Sequence, residues 1–82
     1  MSYELRLIQH SDPKIGTYFG VHDVYRDEYG CINGWSEYPI NLSGDSLEEI
    51  GALLILANEA MLKPVLKIVD NGGGCVLVES VL

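Results

Sequence analysis

The chain has 82 residues, enough for one small domain but not for a second core. It is 48% hydrophobic with a formal net charge of −7, which excludes a disordered chain and argues against direct binding to nucleic acid. A domain of this size leaves much of its surface in water. The high hydrophobic share therefore predicts that oligomerisation supplements its stability.

The amino-terminal segment and the two cysteines bear on localisation. Met1–Ile8 interleaves charged with apolar residues, unlike a secretory signal, and the longest apolar run, Leu53–Ala57, is too short to span a bilayer. We therefore expect a cytoplasmic protein with no membrane partner. In that compartment Cys31 and Cys75 are expected to be reduced, and to pack as small core residues.

Three strands are predicted at the beginning of the chain. Alternating residues predict a strand over Tyr3–His10, and aromatic and β-branched residues predict a second over Thr17–Arg26. A third strand, Cys31–Tyr38, ends before a proline. The connections at 11–16 and 27–30 carry turn-forming residues, including Gly30, which is free to adopt a positive φ.

A helix is predicted next. Ser46 and Glu49 have the spacing of a capping box, in which Ser46 accepts from a first-turn amide and Glu49 reaches back. Lys63 and Pro64 mark the helix end. Leu56 falls outside the apolar stripe and is expected to be exposed in a monomer. The stripe itself has spacings of three and four residues and contains Leu47, Ile50, Leu54, Ala57 and Met61.

Two strands, Val65–Val69 and Cys75–Val81, are predicted after the helix. The order β-β-β-α-β-β predicts a single α+β domain over residues 1–82, with an antiparallel sheet and one helix packed on one face. Both faces of the strands are partly apolar, and one helix covers only one of them. We therefore expect a second chain on the other face.

The expected assembly is a homo-oligomer, most simply a two-fold dimer. Large aromatic residues often anchor interfaces, although core packing explains Trp35 and Tyr38 equally well. The candidate interface residues are Tyr18, His22, Trp35, Tyr38 and Leu56.

Acidic residues concentrate in the middle of the chain. Seven acids against one Arg lie between Asp23 and Glu49. They predict either a solvated surface that maintains solubility or a surface that attracts a basic protein partner. The candidate acidic patch contains Asp27, Glu28, Glu48 and Glu49.

Few residues suggest chemistry. His10 and His22, with Asp12 and Asp23 close in sequence, are the only candidate metal or acid–base group, and their spacing matches no zinc motif. A hydrogen-bonded structural role for His22 is the simpler interpretation. The glycines at 72–74 lack the Lys-Ser/Thr ending of a phosphate-binding loop and predict a flexible hairpin. We expect no catalytic activity, metal or cofactor.

The segment Phe19–Tyr25, the hairpin and Trp35–Pro39 precede Ser43-Gly44-Asp45-Ser46-Leu47-Glu48-Glu49 and a helix. This order resembles the core of HicB-type antitoxins over residues 18 to about 69. The resemblance implies a β-β-β-α-β core related to part of the ribonuclease H fold, without its catalytic activity. It also implies a small basic RNA-cleaving toxin as partner. Members often carry a DNA-binding domain, where this chain has a predicted strand.

The residues from Phe19 to Tyr25, with Trp35, are also similar to short uncharacterised bacterial proteins, including ones carried on mobile elements. Three functions follow as hypotheses. The leading one is a small oligomeric protein-interaction module, such as a mobile-element accessory protein. The alternatives are a HicB-like antitoxin or inhibitor of a basic protein, and a small enzyme or ligand-binding protein with its site near His22.

Overall fold

A computed structural model describes residues 2–80, in which five strands form one sheet and a helix packs against its central strand. The predicted α+β class and element order are confirmed. The predicted end of the last strand, Val81, lies outside the described residues. The elements are β1 (Ser2–Asp12), β2 (Gly16–Arg26), β3 (Ile32–Trp35), α1 (Leu47–Ala60), β4 (Leu66–Asp70) and β5 (Cys75–Glu79).

The sheet has the strand order β3-β2-β1-β4-β5 and is mixed, so the predicted purely antiparallel sheet is wrong. β1 and β4 are parallel, with Ile8 opposite Leu66 and Gln9 opposite Lys67. The helix explains the difference. β3 runs parallel to β1, because each is antiparallel to β2. A helical crossover after β3 allows the next strand, β4, to run in the same direction as β3 and therefore parallel to β1.

The register of β1 and β2 defines two faces of the sheet. On the first face Ile8 and Val24 are buried together with Leu66 of β4. Trp35 packs against this cluster, as Ile32 and Leu77 do, so Trp35 belongs to the core. The second face carries buried Leu5 and several exposed aromatic side chains: Tyr3, Phe19 and Tyr25.

The helix is apolar on two sides, and the prediction of which side faces the sheet is wrong in part. Ala60 is buried and Leu56 is half-buried, so the predicted exposure of Leu56 is not observed. Half-buried Ile50, Leu53 and Ala57 complete this inner side. An outer stripe of side chains is between 51% and 86% exposed and consists of Leu47, Leu54, Ile55, Met61 and Leu62. Three of them, Leu47, Leu54 and Met61, were expected to face the sheet.

An ion-pair cluster around Glu4 joins the helix end to the sheet. The Glu4 carboxylate accepts from Nε of Arg26 on β2 and, at 2.8 Å, from Nζ of Lys63 just after α1. Arg6, next on the same face of β1, donates to the Pro64 carbonyl at 2.7 Å. Partial burial raises the pKa of Glu4, but the hydrogen bonds from Lys63 and Arg26 outweigh it and hold the pKa below its usual value.

Both cysteines are exposed and unbonded, so the prediction that they pack in the core is wrong. Cys31 follows the β2–β3 turn, and Cys75 is the first residue of β5, a strand at the sheet edge. Within residues 2–80, no helix has the length and apolar character needed to cross a membrane.

Ser46→Ala is expected to lower the free energy of unfolding by about 0.5–2 kcal/mol, as loss of a helix N-cap does. The Ser46 side chain accepts from the Glu49 amide at 3.2 Å, and Glu49 reaches back to the Asp45 amide at 2.8 Å. Chemical denaturation of both proteins measures the effect. Exposed Ser43→Ala is the matched control, and equal effects of the two substitutions would contradict the assignment of Ser46 as the cap.

Candidate functional site

Two histidine rings meet over the first face of the β1–β2 hairpin. His10 on β1 lies opposite Tyr18 on β2, and His22 on β2 lies opposite Arg6 on β1. The two histidines therefore lie diagonally across the two strands, two pairs apart when only the pairs on this face are counted. Between them Ile8 lies opposite Gly20, which has no side chain to separate the rings. The two Nε2 atoms are 2.9 Å apart, a hydrogen-bonding distance.

Gly20 creates the space in which the rings meet. A Cβ atom at this position would lie 2.9 Å from Cγ of Pro39 and 3.0 Å from Nε2 of His22. Pro39 covers this position from the segment after β3. An isolated glycine inside a strand is a signal for close approach of another group. That signal was available in the sequence, but no such role was predicted for Gly20 or Pro39.

His22 is fully buried and its orientation is fixed by Ser36. Its Nδ1 is 3.0 Å from the Ser36 carbonyl oxygen, which can only accept, so Nδ1 carries a proton and donates it. The Ser36 hydroxyl donates to the Tyr38 carbonyl at 2.9 Å and accepts from the Asp23 amide. The same hydroxyl oxygen lies 3.3 Å from Nδ1 of His22, so Ser36 contacts this ring nitrogen through both its carbonyl and its hydroxyl and acts as a positioning residue for His22.

The hydrogen bond between the two Nε2 atoms requires one proton, carried by one of the two rings. If both rings are neutral, His10 donates to Nε2 of His22, because Nδ1 of His22 already holds that ring's proton. The pair can take up one more proton and keep the contact, but a second would place two donors face to face. Burial and the charge of His22 lower the pKa of His10.

Two further groups on the first face adjoin the pair. The Tyr18 ring stacks on His10 with centroids 4.8 Å apart and an angle of 18° between planes. Arg6 is only 6% exposed, and its Nε has no hydrogen-bond partner within residues 2–80. The pair thus lies beside a buried cation.

The carboxylates expected near the histidines do not join them. Asp12 accepts from the Lys14 and Ile15 amides in the β1–β2 turn. Asp23 lies on the second face, where it lines an open depression with Tyr3 and Tyr25.

The predicted interface residues lie at different depths. Tyr18 and Tyr38 are exposed, Trp35 and Leu56 are half-buried, and His22 is fully buried. His22 and Trp35 therefore contribute to packing, and a partner could contact Tyr18 and Tyr38 directly.

The four acidic patch residues differ in whether they accept hydrogen bonds from backbone amides. Asp27 accepts from the Tyr29 and Cys31 amides, and Glu49 accepts from the amide of Asp45. Glu28 and Glu48 are exposed.

A crevice opens where β1 and β4 diverge. Their parallel pairing includes Ile8 with Leu66 and Gln9 with Lys67, and both strands continue beyond these pairs. The crevice has a volume of about 250 Å³ and is lined by Gln9, His10, Ser11, Lys67 and Ile68. Sequence reasoning did not find Lys67, because a single lysine on a short strand carries no motif.

No protein-family model matches this chain, and neither does any curated protein or solved structure. The resemblance to HicB-type antitoxins therefore stays a prediction. Within the described residues, no group of three or more His, Cys, Asp or Glu side chains is arranged to hold a metal ion.

The free energy of unfolding is expected to fall as the pH drops below about 6.5, because the unfolded chain then binds a proton at His10 that the native pair resists. The decline should continue until the pH reaches the lowered native pKa. Denaturation curves at several pH values measure this. In His10→Gln, whose amide can still donate to His22, the slope should be smaller, and an unchanged slope would contradict the assignment.

Gly20→Ala is expected to destabilise the fold by about 1–3 kcal/mol, as overpacking of a buried site does. Gly34→Ala is the matched control in the same sheet, since its Cβ would lie 3.6 Å from the Tyr25 ring, an ordinary contact. It should change stability by less than about 0.5 kcal/mol. Thermal and chemical denaturation compare the two variants, and similar losses in both would show that Gly20 has no special packing role.

Proposed function

We propose that this protein is a homodimeric protein-interaction module that self-associates through the outer stripe of α1. The observation that carries the proposal is the exposure of five large apolar side chains on one side of α1 and of the turn that follows it. Leu54 and Ile55 follow Leu47 by seven and eight residues, and Met61 and Leu62 follow Leu54 by the same two spacings. A continuous exposed apolar surface of this kind is typical of an interaction site.

A second copy is the occupant that the energetics favour. Covering one Leu, Ile or Met side chain completely contributes about 1.5–3 kcal/mol, and each copy brings five such side chains. The stripe is bordered by Glu48 and Glu59, which would approach their counterparts across a two-fold axis. An exposed pair of charges changes the free energy by only about 0.2–1 kcal/mol, so the apolar contribution exceeds the repulsion.

Light scattering behind a sizing column is expected to give twice the 9.0 kDa chain mass, and the dimer should strengthen with added salt because salt screens the Glu48 and Glu59 charges. Leu54→Gln should weaken the dimer. Ala52→Gln, on an exposed position of the same helix away from the stripe, should leave it intact. A monomeric wild type contradicts self-association, whereas a dimer that resists Leu54→Gln contradicts only the assigned interface.

A second candidate function is inhibition of a basic protein, and exposed acidic side chains support it. Glu48 and Glu28 are exposed, and the chain carries a net charge of −7. Opposite charge accelerates association with a basic partner, and salt slows it. The salt dependence therefore has the opposite sign from that of the homodimer. With a partner recovered by affinity capture, Glu28→Lys and Glu48→Lys should slow association at low salt, and unchanged rates would contradict this function.

A further inference from the structure

The crevice between β1 and β4 lies at a change of direction in the sheet topology. After β1 the chain continues to β2 on one side of the sheet, and after β4 it continues to β5 on the other side. The carboxyl ends of two adjacent parallel strands therefore diverge with no connection crossing between them. In open α/β sheets, ligands bind at the corresponding position, beyond the carboxyl ends of adjacent strands whose connections lead in opposite directions.

The side chains that line the crevice are mainly hydrogen-bond donors. Lys67 offers an ammonium group that makes no ion pair within residues 2–80, and Ser11 offers a hydroxyl. The Gln9 amide oxygen accepts from the Ser80 hydroxyl, which leaves its NH2 group as a donor. None of the described lining residues is acidic, although the chain as a whole has a net charge of −7.

We propose that this crevice binds a small oxyanion, such as a carboxylate or a sulfate- or phosphate-like group, through Lys67, Ser11, Gln9 and His10. Lys67 supplies the fixed positive charge. The amide and the hydroxyl provide directional donors from the neighbouring strand. The site is independent of the outer stripe of α1, so it does not rest on self-association.

The histidine pair makes anion binding depend on pH. One additional proton on the pair places a positive charge beside the crevice, whichever ring carries it. The bound anion and the proton therefore favour each other. The charged or titratable groups around His10 are Arg6 and Asp12 on its own strand, Tyr18 and His22 on β2, and Lys67 on β4.

Nuclear magnetic resonance titration of the intact chain tests the proposal. Sulfate is the main probe because its charge stays constant across the pH range, and acetate distinguishes a planar carboxylate from a tetrahedral anion. Saturable shifts are expected at the amides of Gln9, His10, Ser11, Lys67 and Ile68. Lys67→Gln should weaken sulfate binding at least about tenfold, as loss of a charged hydrogen bond does. Lowering the pH from about 7.5 to about 5.5 should tighten it.

Lys14→Gln is the matched control, because it removes one positive charge from the exposed β1–β2 turn and does not line the crevice. It should leave sulfate affinity within about twofold of the wild type, since salt screens distant exposed charges. His10→Gln should remove the tightening at low pH. Absent or non-saturable shifts overturn the proposal. Equal weakening by Lys14→Gln and Lys67→Gln also overturns it, because binding would then follow overall charge.

Discussion

The ionised carboxylate of Glu4 connects three parts of the fold that are far apart in sequence. It bonds Arg26 on β2 and Lys63 beyond the helix, while Arg6 on the same strand holds the Pro64 carbonyl. These contacts fix where the chain leaves α1 and enters β4. Because β4 then pairs parallel to β1, the position of the crevice depends on them. The Glu4 side chain is half-buried, and its bonds to Lys63 and Arg26 offset the cost of removing its charge from water.

The histidine pair and the crevice both depend on β1. His10 takes part in both, since its ring contacts His22 on one neighbouring strand and lines the gap to the other. Gly20 and Pro39 determine that the rings meet, and Ser36 determines which nitrogen of His22 faces His10. The outer stripe of α1 lies on a different element. The protein therefore presents one polar candidate site on the sheet and one apolar candidate surface on the helix.

Local patterns predicted the elements, and long-range packing accounts for most of the errors. The capping box at Ser46 and the positive φ of Gly30 are properties of a few neighbouring residues, and both are observed. The parallel pairing of β4 was missed because strand direction depends on the crossover. The helix spacing of three and four residues fits two overlapping stripes, and only contact with β1 selects the one containing Ala60. The two histidines were identified, but Lys67 reaches the site only through tertiary structure.

The order of the strand pairs has a consequence for folding kinetics. The β1–β2 hairpin closes through a short turn, so the His10–His22 contact spans only 12 residues and can form early. The link from Arg6 to Pro64 spans 58 residues and requires the helix to be in place. Closing a longer loop costs more entropy, and contacts of high sequence separation slow the rate-limiting step. The contact between His10 and His22 should therefore form before the crevice during refolding. The two regions would then report separate stages of the same reaction.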